Sequence, residues 1–535
     1  MNLRGRNWWQ VIMTGLVTAS VLMTGCSAGL PRADPEAITV RTCAGGANMT
    51  PAAVADECTA QVLDPVLARL TRATAEGEIE NDLAASVTPS EKDTVWTVSV
   101  AQGRTFSDGT EVLAHNFVDA WNWSASCVQS YAGARWFADI EGFAELNPAG
   151  RCPFGSAQES PPLSGLTVVD DHTFRVKLTR PIHDFDARLS ELAFAPLPDA
   201  FWVDPDHFGE VPVGAGPYRL VESNKLRRVI ERWDGYSGPV DAQASMISFE
   251  VWDDLGLAYD AVRDGSLDVS DRVPPVAMTA RRWVSDFDSR TVPPDAGADP
   301  TLTHLVFDRS DAVWADPRRR RALSMAIDRE FLTEKILGSV HEPARGWVPP
   351  RVDGAVDACG QSCEYAPDEA RRLWDEANAE SPAPASLTVT VAGEFGDHHW
   401  AEELCNTWIY ELGVTCEVEI VQEVELRKSS SGHLTVVEQS SEVNAPDGYL
   451  MPYRTGHPSN MTHYSDADFD GALKRAEETA QPQDWEAAQR KLAQDPPSAP
   501  LWWTGSTTVW SKNLEVDDAG IPRRFSGEVD VARLR

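Results

Sequence analysis

The chain has 535 residues and carries 82 acidic against 47 basic side chains, a formal charge of −35. That length exceeds what one hydrophobic core supports, so two or three structural lobes are expected. The charge excludes a nucleic-acid surface, which needs clustered Lys and Arg to neutralise phosphate, and disfavours an anionic membrane face; it suits an exported, soluble body and a cationic or zwitterionic ligand, although solvated faces account for most of it.

The first feature in chain order is "MNLRGRNWWQVIMTGLVTASVLMTGCSAG", where Arg4 and Arg6 precede a nearly uncharged run from Asn7 to Thr24 and then a cysteine. This is an export signal rather than a domain, too short and too broken by Thr, Gly and Ser for a full membrane span of about 20 residues. Its end, "LMTGC", resembles the lipobox of bacterial lipoproteins: Gly25 and Cys26 fit, and Met23 stands where the family has Leu. The resemblance implies a signal peptide over 1–25, a diacylated Cys26 as mature N-terminus and a tether over 26–36; an ordinary secretory signal or an uncleaved anchor is the alternative. Without the signal the balance is 45 basic against 82 acidic residues, or −37. The other eight cysteines fall in close pairs, Cys43 with Cys58, Cys127 with Cys152, Cys359 with Cys363 and Cys405 with Cys416. In an oxidising compartment four local disulfides are the natural expectation, though sequence does not fix the pairing. Zinc at "CGQSC" would need a second close pair or His partners, which the local stretch lacks.

From Ala37, "AITVRTC" alternates as a strand and "AVADECTAQVLDPVLARLTRAT" has helical spacing. "DTVWTVSVAQGRTFSDGTEV" predicts a hairpin turning at Asp108-Gly109, and Asn116 is a candidate N-cap for the helix "FVDAWNW". "LTVVDDHTFRVKLTRPI" predicts a second hairpin turning at Asp170-Asp171, and "VGAGPYRLVESNKLRRVIERW" a Gly/Pro turn followed by paired strands. "MISFEVWDD" is a strand, "GLAYDAVRDGSLD" a helix and "DPTLTHLVFDRS" a buried strand. "DPRRRRALSMAIDREFLTEKIL" is a helix with Asp316 as N-cap and Pro317 in its first position. Strands "SLTVTVAG" and "CEVEIV" flank the helix "HHWAEELCNTWIYELG". The strand "HLTVVEQ" runs into "SSEVNAPDGYL"; helices "DADFDGALKRAEETA" and "DWEAAQRKLAQ" and a strand "APLWWTGSTTVWS" complete the chain. No internal repeat is present.

Several of these stretches are specific. "TFSDGTEVLAHNFVDAWNW" resembles the signature of the family 5 solute-binding proteins of ABC transporters, the oligopeptide- and dipeptide-binding group, through Phe106, Ser107, Asp108, Gly109, Ala114, Phe117 and Trp121, with Asn116 in place of Asp. "DDHTFRVKLTRP", "VGAGPYRL", "AVRDGSLDV", "DPRRRRALSMAIDRE" and "NAPDGYLMPYRTGHPSNMTHYSDADFD" resemble further motifs of that family in its order, from about Ala37 to Arg535. The resemblance implies an α/β, type II periplasmic-binding-protein-like fold: a three-lobed clam-shell that closes on its ligand about a hinge. It places lobe I at 37–74, 166–270 and 495–535, lobe II at 75–165 and lobe III at 271–494.

In oligopeptide-binding members a carboxylate just ahead of the N-x-P motif holds the peptide's α-ammonium, and the matching position is Glu442, unless it is a solvated loop residue. Three positions depart from a peptide binder: Glu442 where Asp is expected, Gln439 where the family has Trp, and Val436 where it has a basic residue. Gln439 and Val437 alternate with Glu438, so one set would face the cleft, where a peptide would add by backbone bonds. Asn444 is a further candidate contact, although it and Asp447 are good turn formers. His398 falls where the family lines side-chain pockets; with His399, Glu402 and Glu403 it lacks the HExxH order of a metal site, and helix-start capping is the plainer role. The 19 tryptophans fit core better than an aromatic cage, and Arg318 to Arg321 point around a helix axis, with helix surface expected for Arg321. No nucleophile elbow, triad, paired-carboxylate pattern or phosphate loop occurs, so no catalysis, cofactor or metal is expected.

The expectation is therefore a lipid-anchored, extracytoplasmic, monomeric binding component of an ABC importer, taking peptides or similar zwitterionic solutes and docking on permease subunits. A lipoprotein of the same fold that regulates or scaffolds envelope assembly is the alternative.

Overall fold

The computed structural model describes residues 36–148, 152–156, 159–279, 281–292, 300–382, 386–392, 398–421, 433–441, 444–517, 520–525 and 527–535. The export signal, Cys26 and Glu442 lie outside them.

Three larger sheets, beside a two-stranded one, organise the described residues. The first is built on β1 (Ile38–Thr42), all five residues of which are buried. It runs parallel to β10 (Met246–Val251) on one side and to β11 (Val269–Ser270) on the other. The antiparallel β9 (Arg227–Arg232) and β8 (Tyr218–Ser223) extend it past β10, and β18 (Val509–Trp510) closes it beside β11. Helix α1 (Glu57–Leu63) begins where the Asp56 side chain caps Thr59 N–H, and it buries Val62 and Leu63 under this sheet. Disulfide Cys43–Cys58 ties the end of β1 to the start of α1.

The second sheet has the order β4 (Ala84–Ser90), β5 (Val95–Val100), β7 (Thr173–Lys177), β6 (Leu166–Asp170), packed on α2 (Ala114–Ala125) through Phe117, Trp121 and Phe174. Here the structure corrects two expectations. β5 does not fold back on Asp108-Gly109; it is central, paired with β4 and β7, and the turn closes only the bridge Thr105↔Glu111 because Phe106 is drawn into the core. Asn116 is not the N-cap of α2 but its third residue: Leu113 is the cap, and Asn116 Oδ1 reaches back to accept Leu113 N–H at 2.8 Å. The hairpin β6–β7, expected in lobe I, belongs to this sheet.

The third sheet has the order β13 (Glu342–Pro343), β17 (Ser498–Trp503), β12 (Thr301–Phe307), β16 (His433–Ser440), β14 (Ser386–Ala392), β15 (Thr415–Val421). Helices α4 (Pro317–Met325), α5 (Pro367–Glu380) and α6 (His399–Leu412) contribute to the core on one face, and α7 (Ala467–Thr479) and α8 (Pro482–Leu492) to the core on the other. The predicted long helix after Asp316 starts as expected, with Asp316 accepting Arg318 N–H, but stops at Met325; Asp328 caps a fresh turn at Phe331 N–H. The predicted strand "APLWWTGSTTVWS" divides: β17 lies in the third sheet and β18 in the first, joined by Thr504 to Thr508. So 498–503, expected in lobe I, pairs with β12. The chain thus crosses between the first and third sheets after β11 and again between β17 and β18. Disulfides also join Cys127–Cys152, Cys359–Cys363 and Cys405–Cys416, the pairs adjacent in sequence.

Candidate functional site

The two crossings carry a cluster of charge. Arg41, on the otherwise uncharged β1, is buried and donates to Asp271 at 2.9 Å, immediately after β11. The next residue, Arg272, reaches Glu57 in the first turn of α1 at 3.2 Å and Asp271 at 3.9 Å. Asp271 also accepts Thr507 Oγ1–H through its carbonyl at 3.3 Å, which pins one crossing to the other. The side chains of Glu57 and Arg272 remain 35% and 27% reached by water. Even so, desolvation pushes the Glu57 carboxyl up against the pull of Arg272. The pair is thus partly withdrawn from water without being sealed from it.

The opposite wall is the end of the third sheet. Glu438 of β16 is exposed and acts electrostatically on both Glu57 and Arg272. It stands opposite Thr303, which is in turn opposite Trp502 of β17. Trp502 carries Trp400 edge-on at 5.0 Å and His341 at 5.9 Å. His341 Nδ1 accepts Gly505 N–H at 3.0 Å, and burial, aided by Arg272, lowers this imidazole to about 4.

Because side chains alternate along a strand, Gln439 and Val437 point away from Glu438. Gln439 Nε2 donates to Gly448 O, and Val437 is paired with His304, whose Nδ1 meets Tyr453 Oη at 3.0 Å in the opposite core. Both side chains are engaged on that face, while Glu438 between them lies on the other face and is exposed. Asn444 is also committed: its Oδ1 accepts Asp353 N–H at 2.8 Å and its own N–H donates to Gly77 O at 3.3 Å, at the tip of the β2 (Thr71–Ala73) and β3 (Ile79–Asn81) hairpin. Val436 is buried in the core of the third sheet, so a basic residue there would have no place. His398 occupies the N-cap position of α6, two residues before Trp400; His399 lies 3.6 Å from Glu402, and among the described residues no group of three or more His, Cys, Asp or Glu could hold a metal.

A second seam joins the second and third sheets' regions. Asp139 receives Arg180 through two bonds of 2.8 Å and Arg188 at 2.9 Å. Arg180 then reaches Glu477 of α7 at 2.6 Å and Arg188 reaches Asp447 at 3.2 Å, while Arg454 pairs with Glu477. Burial alone would raise Asp139, but Arg188 and Arg180 outweigh it and hold its carboxyl well below the usual range. Asp184, without such a pair, is raised to about 7 by burial and then by Asp447.

Sequence reasoning missed Glu57, Arg272, Glu438 and the seam. The available signals were Arg41 inside a short apolar strand, and "SDR" at the end of β11.

Charged side chains from the first sheet's region lie beside the two chain crossings that link it to the third sheet. The chain belongs to the bacterial extracellular solute-binding proteins, family 5, whose middle portion matches residues 78–461. It is 24% identical over 498 residues to the periplasmic murein peptide-binding protein MppA of Escherichia coli, covering 88% of this chain and 89% of that one. It is 25% identical over 439 residues to the periplasmic oligopeptide-binding protein OppA of Salmonella typhimurium, 76% of each. The solved Escherichia coli murein tripeptide binding protein MppA superposes with a TM-score of 0.77 at 20% identity, over 89% of this chain and 94% of that one, which establishes the mixed α/β type II periplasmic-binding fold. The chain is accordingly an extracytoplasmic solute-binding protein and not an enzyme.

Proposed function

We propose that this protein captures peptides, or zwitterionic solutes of similar size, between lobes built on the first and third sheets and delivers them to the permease of an ABC importer. The observation that carries the reading is that the cleft draws charged residues from both walls, Glu57 and Arg272 from one and Glu438 from the other. A ligand bridging both walls binds the closed arrangement better and so drives closure. The names of the relatives, a murein peptide binder and an oligopeptide binder, support the solute class.

In this reading lobes I, II and III correspond to the first, second and third sheets, with 166–177 assigned to lobe II and 498–503 to lobe III. Glu442 anchors the ligand's α-ammonium by a charge-assisted bond, and His398 lies at the rim near Trp400. Lipid on Cys26 holds a monomeric body at the outer face of the membrane. Calorimetry of the mature protein with tri- to pentapeptides tests this. Free N-termini are expected to bind, and Glu442→Gln to weaken binding at least tenfold with an unchanged circular dichroism spectrum. A chain that binds no peptide of the set, or one indifferent to N-terminal acetylation, overturns the reading.

A further inference from the structure

A cavity of about 60 Å³ lies apart from the crossings, between the loop that follows α1, the root of the β2–β3 hairpin and the C-terminal segment. Four arginines and three aspartates line it, an excess of basic groups in a chain whose acidic residues outnumber its basic ones by 82 to 47. The aspartates are already engaged. Asp64 receives Arg69 at 2.8 Å and Arg524 at 2.7 Å, Asp82 receives Arg104 at 2.9 Å, and Asp530 lies 3.3 Å from Arg533. Arg69 is spent as well, because its Nε donates to Ser190 O at 2.8 Å and its Nη1 to Leu67 O at 3.1 Å. Arg72 is different. Its Nη1 donates to Glu80 at 2.7 Å, but its Nε and Nη2 have no hydrogen-bond partner among the described residues, although only 12% of the side chain is reached by water.

Nε and Nη2 form one edge of the guanidinium fork, and Arg180 shows what that edge does in this protein: it grips both carboxylate oxygens of Asp139 at 2.8 Å. The walls around Arg72 are also short of water, since burial raises the carboxyls of Asp82 and Asp530 in spite of their arginine partners. A guanidinium there gains more from an anion than one in bulk solvent. We propose that this cavity binds one small oxyanion, a carboxylate or phosphate group, held by two bonds from Arg72 Nε and Nη2 with Arg524 as the second cation. The volume admits a group of that size and no peptide. None of Arg41, Glu57 and Arg272 lines the cavity, so the site is separate from the ligand cleft and does not rest on the peptide reading.

Calorimetry with sodium phosphate and sodium acetate, each titrated at constant ionic strength, tests this and separates the two anion classes. Wild type is expected to saturate at one site with at least one of them. Arg72→Gln should weaken that binding at least tenfold, and Glu80→Gln, which releases Nη1 as well, should tighten it about threefold. Arg219→Gln, at an exposed arginine paired with Glu231 on β8, should leave it unchanged. Circular dichroism spectra and thermal midpoints check that each variant folds, and Glu80→Gln decides the matter if Arg72→Gln does not fold. Failure of both anions to saturate a site overturns the inference, as does an affinity that neither Arg72→Gln nor Glu80→Gln moves; the peptide reading stands in either case.

Discussion

Arg318 to Arg321 show how one helical turn distributes four like residues. Arg318 is on the surface with Asp316 and Glu380, and Arg321 reaches Gln494 O at 2.9 Å, whereas Arg319 and Arg320 are buried. Arg320 donates to Pro496 O at 3.0 Å and Ala315 O at 3.1 Å and pairs with Asp495, so it staples the start of α4 to the segment before β17. Removing it strands buried carbonyls, although Asp495 keeps Arg309 at 2.6 Å. Arg320→Met should therefore cost about 3–5 kcal/mol in urea unfolding of the third-sheet region, against under about 1 kcal/mol for Arg318→Met. Equal losses in the two variants would refute this division. The same scale explains why the site was only partly legible in sequence. Glu438 stands in an alternating run whose parity sequence leaves open, and it shares the face of Leu434 and Val436, which are buried further along the strand while Glu438 is exposed. Three histidines add a pH dependence: burial lowers His304, His341 and His457 each to about 4. An imidazole whose folded value lies below its usual 6.5 contributes stability above that pH and loses it as pH falls towards 4. Thermal midpoints should drop across that window, and less steeply in His304→Gln relative to its own value at pH 7.

Among elements, the most legible were those whose ends carry a local chemical signal. Asp316 with Pro317 marked α4, and the β6–β7 hairpin closed with Asp170 paired to Thr173, one residue beyond the predicted turn centre. What sequence could not convey is which sheet a strand joins. β5 and the residues after it look like one hairpin until Phe106 and Trp96 must both enter one core, and "APLWWTGSTTVWS" has no breaker strong enough to announce that β17 and β18 serve different sheets. The disulfides, in contrast, followed sequence proximity. Cys43–Cys58 matters most to the site, since Cys58 follows Glu57 and its partner comes just after β1, two residues after Arg41. Replacing both by serine should lower stability by about 3 kcal/mol, from a loop of 15 residues. It should also weaken ligand binding, because α1 then holds Glu57 less firmly against Arg272. Loss of stability with binding untouched would mean that the helix start is fixed by Asp56 alone.

At the scale of the molecule, the seam ties the second sheet's region to the third, and pH and substitution test whether it also governs opening. It gathers Asp139, Asp184, Asp447 and Glu477 against Arg180, Arg188 and Arg454, four carboxylates to three guanidinium groups. The surplus carboxylate is Asp184, held at about 7 by burial and Asp447 while Arg188 only partly offsets them. The sign follows from the direction of the shift. An acid whose folded value is raised above its usual 3.8 favours the folded arrangement in its protonated form, so its contribution is full at low pH and disappears as pH rises through about 7. Above that pH a fourth negative charge sits beside Asp447 and competes with it for Arg188. The ligand-free protein should therefore open as pH rises from 6 to 8, seen as a growing radius of gyration in small-angle scattering. Asp184→Asn should stay compact across the range. Arg188→Gln, which removes the bridge to Asp447 outright, should be open at both ends of it, and should need more ligand to reach the closed radius because part of the binding free energy goes into closure. If wild type and Asp184→Asn scatter alike at pH 6 and pH 8, the seam carries no such switch, and closure is governed by the cleft at Glu57, Arg272 and Glu438 alone.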